Sequence, residues 1–213
     1  MVEATRSSLP AACADRIAQL LATGARRILG IVGPPGAGKS SLAEAVLAAY
    51  KDAVQVVPMD GFHLANSELE RLGRRGRKGA PDTFDAAGYL SLLERIKAQR
   101  AGDDLIYAPE FRRAVEEGIA SAIAVQGDTP LIVTEGNYLL LDDRPWNRVR
   151  EVVDEVWYVE VPDQLRRARL VARHMQFGRS EQQALDWVAT TDDPNALRIA
   201  QTRELADMKV AWD

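Results

Sequence analysis

The chain has 213 residues, 46% of them hydrophobic and 27% charged, which suits one α/β domain with a substantial core and is too short for two ordinary ones. Its formal net charge of −4 is the wrong sign for a protein built to hold a nucleic-acid backbone, and its single cysteine, Cys13, excludes an intramolecular disulfide and a cysteine zinc cluster. No stretch is long and apolar enough for a signal peptide or a bilayer span, so the expectation is a cytoplasmic protein with no membrane or nucleic-acid partner.

A helix is predicted over residues 10–21, with Ser8 as candidate N-cap, Pro10 in its first turn, and Ile17, Leu20 and Leu21 on one face. Residues 27–32 read as a short buried strand, followed by a glycine-rich turn and an alanine-rich helix over 41–50. A second apolar run, 54–57, leads to Met59-Asp60-Gly61, and a helical stretch follows over 85–100. A third run, 131–134, leads to Glu135-Gly136, and a fourth, 156–161, ends at Pro162 and opens an arginine-rich helix. Continuous rather than alternating apolar runs predict strands buried on both faces, and intervening helices predict a mostly parallel sheet covered on both sides. Ligands of such sheets bind beyond the carboxyl ends of the strands, which sets the glycine turn, Asp60 and Glu135 along one rim.

Gly33-Pro34-Pro35-Gly36-Ala37-Gly38-Lys39-Ser40 fits the pattern G-x-x-x-x-G-K-[ST], with Ser41 following. Its glycines let the main chain approach phosphate oxygens closely. The turned backbone then aims N–H groups at one anion, and the next helix adds its positive end. Lys39 is expected to reach the β- and γ-phosphates of a bound nucleotide and Ser40 to ligate magnesium. The chain carries no Asn-Lys-x-Asp guanine-reading motif and no Leu-Ser-Gly-Gly signature. A carboxylate at a strand end facing the loop, Asp60, can accept the proton of an acceptor hydroxyl and hold its oxygen in line with the γ-phosphate; an aspartate before Gly61 also has a plain reading as a turn residue. Glu135 ends an apolar run, where a charge needs a partner: magnesium opposite Ser40, or a structural ion pair.

These motifs, together with Met59-Asp60-Gly61-Phe62, Lys78-Gly79-Ala80-Pro81-Asp82-Thr83-Phe84-Asp85 and Glu135-Gly136-Asn137, resemble the uridine kinase, phosphoribulokinase and bacterial pantothenate kinase group of P-loop kinases over residues 27–193. Some bacterial proteins of similar sequence carry sugar or fructose-transport-linked kinase labels. The resemblance implies a three-layer α/β/α P-loop fold with a helical lid, a single kinase domain over 1–213 with the lid over about 163–193, ATP and Mg2+ as cofactors, and a small-molecule hydroxyl acceptor. It allows a homodimer. Asp60 would be the base, Lys39 and Glu135 would act at the phosphates and metal, and Arg169 and Arg173 of the lid would close over the nucleotide, whereas Arg166 and Arg167 read as a solvated basic face.

The acceptor pocket is expected between Phe62 and Tyr107, with His63, Phe84, Asp85, Arg112 and Asn137 as candidate contacts. Asp85 has an equal reading as a helix cap, and His63 an equal reading as an orienting or surface residue. Gly79 stands where the uridine kinase loop has a further acidic residue, and the histidine that uridine kinases place near Arg112 is absent, which turns the reading from nucleosides toward sugars and small acids. The basic run 74–78 reads as a solvated loop, or as a device that meets a phosphate on the acceptor or covers the site. A P-loop ATPase or nucleotide sensor acting on a protein partner is the alternative of another class.

Overall fold

The computed structural model describes residues 8–212. Helix α1 (Ala11–Ala22) is followed by strand β1 (Arg27–Val32), the glycine turn and α2 (Lys39–Ala49). β2 (Val54–Val56) leads into a tight 3-10 turn, Met59–Phe62, then α3 (Asn66–Arg71) and α4 (Ala86–Ala98). β3 (Ile106–Arg112) and β4 (Glu117–Val125) form a separate antiparallel hairpin. β5 (Leu131–Gly136), α5 (Val149–Val152), β6 (Glu155–Glu160), the arginine-rich α6 (Asp163–Gln176), α7 (Glu181–Trp187), α8 (Asp193–Ala200) and β7 (Met208–Ala211) complete the order. A π-helical turn, Val188–Asp192, joins α7 to α8.

The main sheet runs β2-β5-β1-β6-β7, every neighbouring pair parallel. Alternation along β1 divides the core into its two layers. Leu29 and Ile31 face Ile17 of α1 and Leu42 and Val46 of α2, while Ile28 and Val32 face Tyr89 and Leu93 of α4. Three layers, α/β/α, result, because side chains of a strand point alternately to opposite faces. Register sets the rim: Ile31 lies opposite Glu135 and Val32 opposite Gly136, so Glu135 stands beside the point where β1 turns into the phosphate loop.

One local expectation changes, one open reading is decided and one element is added. The N-cap of α1 is Pro10, with no side chain capping it, so Ser8 does not serve there; the fixed proline φ sets the helix start instead. Asp85 caps α4, its carboxylate accepting from Gly88 N–H at 2.8 Å. The tail supplies a fifth strand, β7, parallel to β6.

Candidate active site

The first intrahelical bond of α2 runs from Leu42 N–H to Gly38 O at 2.9 Å. The amides of residues 38–41 therefore lie outside the helical ladder, and no side chain caps them. Gly36 holds φ +80°, and a Cβ there would stand 2.8 Å from both Arg166 O and Leu170 Cγ. The loop is thus pressed against α6, and only glycine fits between them.

Lys39 is 8% exposed and Glu135 6%. The Lys39 ammonium donates to Asn137 Oδ1 at 2.6 Å and to Pro34 O at 3.2 Å. The Ser40 hydroxyl donates to Glu135 Oε1 at 3.0 Å. Burial lowers the Lys39 pKa, with Glu135 and Asp60 opposing the shift. Burial raises the Glu135 pKa and Asp60 adds to it, with Lys39 and Ser40 opposing. A buried ammonium whose hydrogen bonds go only to neutral oxygens, and a buried carboxylate held by one hydroxyl, are both short of partners.

Asp60 reaches the same cleft from the turn after β2. Its side chain is 29% exposed and lies 3.6 Å from the Arg113 guanidinium. Gly61 beside it is packed so closely on the hairpin that a Cβ would stand 2.4 Å from Pro109 O. The His63 ring nitrogen Nδ1 donates to Asp60 O at 2.7 Å, and the ring lies against Phe84 and Phe111 with centroids 4.0 and 4.6 Å away. Burial lowers the His63 pKa, so the ring is neutral at physiological pH.

The cleft encloses about 350 Å³ and brings together Pro35, Gly36, Lys39, Ser40, Asp60, His63, Phe84, Glu135, Asn137 and Arg173. Gly33, Pro34, Ala37, Gly38 and Ser41 complete the loop behind its lining. Three expected contacts stand elsewhere. Asp85 is occupied as a cap, and exposed Arg112 pairs with Glu110 at 3.4 Å. Arg169 flanks the outer side of the loop, its Nη1 3.8 Å from where a Gly38 Cβ would stand. Arg166 and Arg167 pair with Asp193 at 2.6 and 2.8 Å; Arg167 is exposed as expected, but Arg166 is buried against the loop rather than solvated.

Lys78 of the basic run and Phe111 of the hairpin also line the cleft, and the structure recruits residues that sequence reasoning passed over: Arg113, His174, Arg179, Trp187 and Asp192. Arg113 was missed by one position. The register of the hairpin shifts between Ala108 and Glu110, and such a bulge re-aims the side chains that follow. His174 was in plain view as one of two histidines, but nothing local ties it to Asp192 across the π-helical turn.

A relative of Schizosaccharomyces pombe named, provisionally, as a uridine kinase is 33% identical over 205 residues, covering 91% of this chain and 86% of its own. The chain belongs to the uridine kinase-like group of P-loop kinases. YggC, an uncharacterised protein of Escherichia coli strain K12, is 35% identical over 190 residues, covering 87% of this kinase and 77% of itself. A crystal structure from Silicibacter sp. TM1040, described provisionally as a fructose transport system kinase, superposes with a TM-score of 0.81 at 34% identity, covering 93% of this kinase and 98% of that chain. No family model matches the chain.

Membership implies ATP with Mg2+, and the cleft fits both. Unladdered amides and a buried ammonium suit polyphosphate oxygens. Among the described residues no group of three His, Cys, Asp or Glu could hold a metal by itself. The hydroxyl of Ser40 and the carboxylate of Glu135 offer instead a sparse pair of oxygens, a donor set that would suit magnesium, which keeps phosphate and water ligands. No helix among the described residues is long and apolar enough to cross a membrane.

Proposed function

We propose that this kinase transfers the γ-phosphoryl group of ATP to a hydroxyl of a small molecule, with Asp60 as the base. The observation that carries this reading is the presence of Asp60 in the same cleft as Lys39, Ser40 and Glu135, on the neighbouring strand end. When bound, ATP and magnesium supply the electrophilic phosphoryl group with part of its charge neutralised. The chain's own residues do the rest. Ser40 and Glu135 would hold the metal, and the loop amides and Lys39 the phosphate oxygens. Asp60 would accept the hydroxyl proton and hold the acceptor oxygen in line, with Arg113 orienting its carboxylate. Arg173 makes no ion pair among the described residues, and burial lowers its pKa; charge that builds during transfer gives it a partner. Arg169 would meet the nucleotide from the outer side of the loop. His63 and Phe84 would bound the acceptor, and Asn137 would aim Lys39.

The test is ADP release from Mg-ATP across sugars, pantothenate, glycerate and nucleosides. With the acceptor that supports release, Asp60→Asn is expected to lower turnover by about 10²- to 10⁴-fold while nucleotide binding persists. Full turnover in that variant would remove Asp60 from the role. Nucleotide hydrolysis that ignores every acceptor and responds to a second protein would instead favour the nucleotide-sensor reading.

A further inference from the structure

The cleft continues past Asp60 to a second set of cations. Lys78, 8% exposed, donates to Asn66 Oδ1 at 2.6 Å and to Glu116 O at 2.5 Å, and lies 5.3 Å from the Phe111 ring centroid. Its hydrogen bonds go to neutral oxygens only. The nearby carboxylate of Glu117 is turned instead to Asn66 N–H at 3.0 Å. The Arg179 guanidinium stacks 3.8 Å from the Trp187 ring centroid. Its Nη1 donates to His174 Nδ1 at 2.9 Å, and His174 Nε2 lies 2.8 Å from Asp192 Oδ2. An arginine can only donate, so Nδ1 accepts and the His174 proton sits on Nε2, facing Asp192. Asp192 therefore holds His174, and His174 with Trp187 holds Arg179, leaving the rest of the guanidinium edge for the cleft.

Burial lowers the pKa of both Lys78 and Arg179. Glu117 opposes this for Lys78 and Asp192 for Arg179, while Arg75 lowers each of them further. The three cations thus share one neighbourhood at the end away from Lys39. Among the described residues none of the three is in an ion pair. An ammonium and a guanidinium kept in place with neutral partners are arranged for an anion that arrives from outside. The donor phosphates would have their own groups at the other end, Lys39 at the loop and Arg173 of α6. Between the two ends lie neutral His63, Phe84 and Phe111, walls suited to a short carbon skeleton.

We propose that the acceptor carries an anionic group, a carboxylate or a phosphate ester, besides the hydroxyl that is phosphorylated, and that Lys78 and Arg179 receive it, with His174 as a positioning residue. This rests on the kinase reading, and the experiment separates the two.

The protein is saturated with magnesium and a non-hydrolysable ATP analogue, so that the loop is filled. Calorimetry then measures binding of two matched series: glycerol, D-glycerate and glycerol 3-phosphate; ribose, ribonate and ribose 5-phosphate. In at least one series an anionic member is expected to bind about tenfold or more tightly than its neutral partner, the effect of one to two charge-assisted hydrogen bonds. Which anion wins separates carboxylate from phosphate ester. Arg179→Met should remove that advantage and leave the neutral member unchanged. Arg75→Glu, at an exposed position that packing does not constrain, should reduce it too. His174→Leu should weaken the anion while nucleotide affinity stays the same, a split that general loss of structure would not produce. Equal binding of neutral and anionic members, no binding by any anion, or full anion affinity in both Arg179→Met and Arg75→Glu overturns the proposal. Anion binding without acceptor-dependent ADP release would leave it standing and overturn the kinase reading instead.

Discussion

Glu135 is a buried carboxylate whose one hydrogen-bond partner is the Ser40 hydroxyl. Burial raises its pKa, so the folded protein binds a proton there more tightly than the unfolded chain does. For a carboxylate with a raised folded pKa, the favourable contribution is present at pH below the unfolded value of about 4.5. It is lost as pH rises through the folded pKa. Nucleotide-free protein is therefore expected to lose stability at this residue as pH rises above about 4.5. Glu135→Gln should flatten that part of the melting-temperature profile, leave the free protein at least as stable at pH 7, and weaken magnesium-dependent nucleotide binding. A free variant that melts well below the parent at pH 7 would show that the carboxylate is needed for the fold itself. Asp60 differs from Glu135 in being partly exposed and paired with Arg113 at 3.6 Å.

At the scale of elements, the hairpin of β3 and β4 decides where Asp60 sits. Its two strands grip the 3-10 turn from both sides. A Cβ on Gly61 would meet Pro109 O at 2.4 Å, and one on Gly118 would meet Gly61 O at 2.5 Å. Gly61→Ala must push turn and hairpin apart. The cost of such overpacking is about 1–3 kcal/mol, read as a lower urea midpoint, and acceptor-dependent ADP release should fall because Asp60 and Arg113 are carried on the two separated elements. Unchanged stability and turnover would show that the contact is not what positions Asp60. The hairpin also explains why Arg113, rather than Arg112, faces the cleft. It lies just past the end of β3, in the connection to β4, after a register shift.

Across the whole molecule, the chain's end returns to its first functional loop. β7 closes the sheet edge beside β6, and Trp212 behind it packs its indole so that Cδ1 lies 2.9 Å from a Gly38 Cβ position. Trp212 belongs to the same core layer as α1 and α2. Trp212→Ala is expected to lower stability by about 3–5 kcal/mol, the usual range for truncating a buried tryptophan. It should also weaken nucleotide binding, because the loop loses its backing. Chemical denaturation and nucleotide titration check the two effects separately, and a normal nucleotide affinity would show that the loop keeps its shape without this support.

The sequence by itself determined the layered α/β fold, the phosphate loop and the placing of Glu135 on the same rim. Each is written in local terms: continuous apolar runs, a motif of fixed spacing, and a charged residue at a strand's end. β1 matches the expected span residue for residue, because a strand buried on both faces leaves an unbroken apolar signal. The hairpin has no such run: its faces are largely exposed, and its order depends on Gly61 and Gly118 lying against distant backbone. The far end of the cleft was hidden for a related reason. Arg179, His174 and Asp192 are joined across α7 and a π-helical turn, and no helical or strand period links residues at that spacing. Tertiary packing alone decided that Arg173 enters the cleft while Arg169, four residues earlier, stays outside it. Residues four apart share one face of a helix, but α6 lies across the loop with its Arg166–Leu170 segment pressed on Gly36, so Arg173 lines the cleft while Arg169 lies near Gly38 outside its lining.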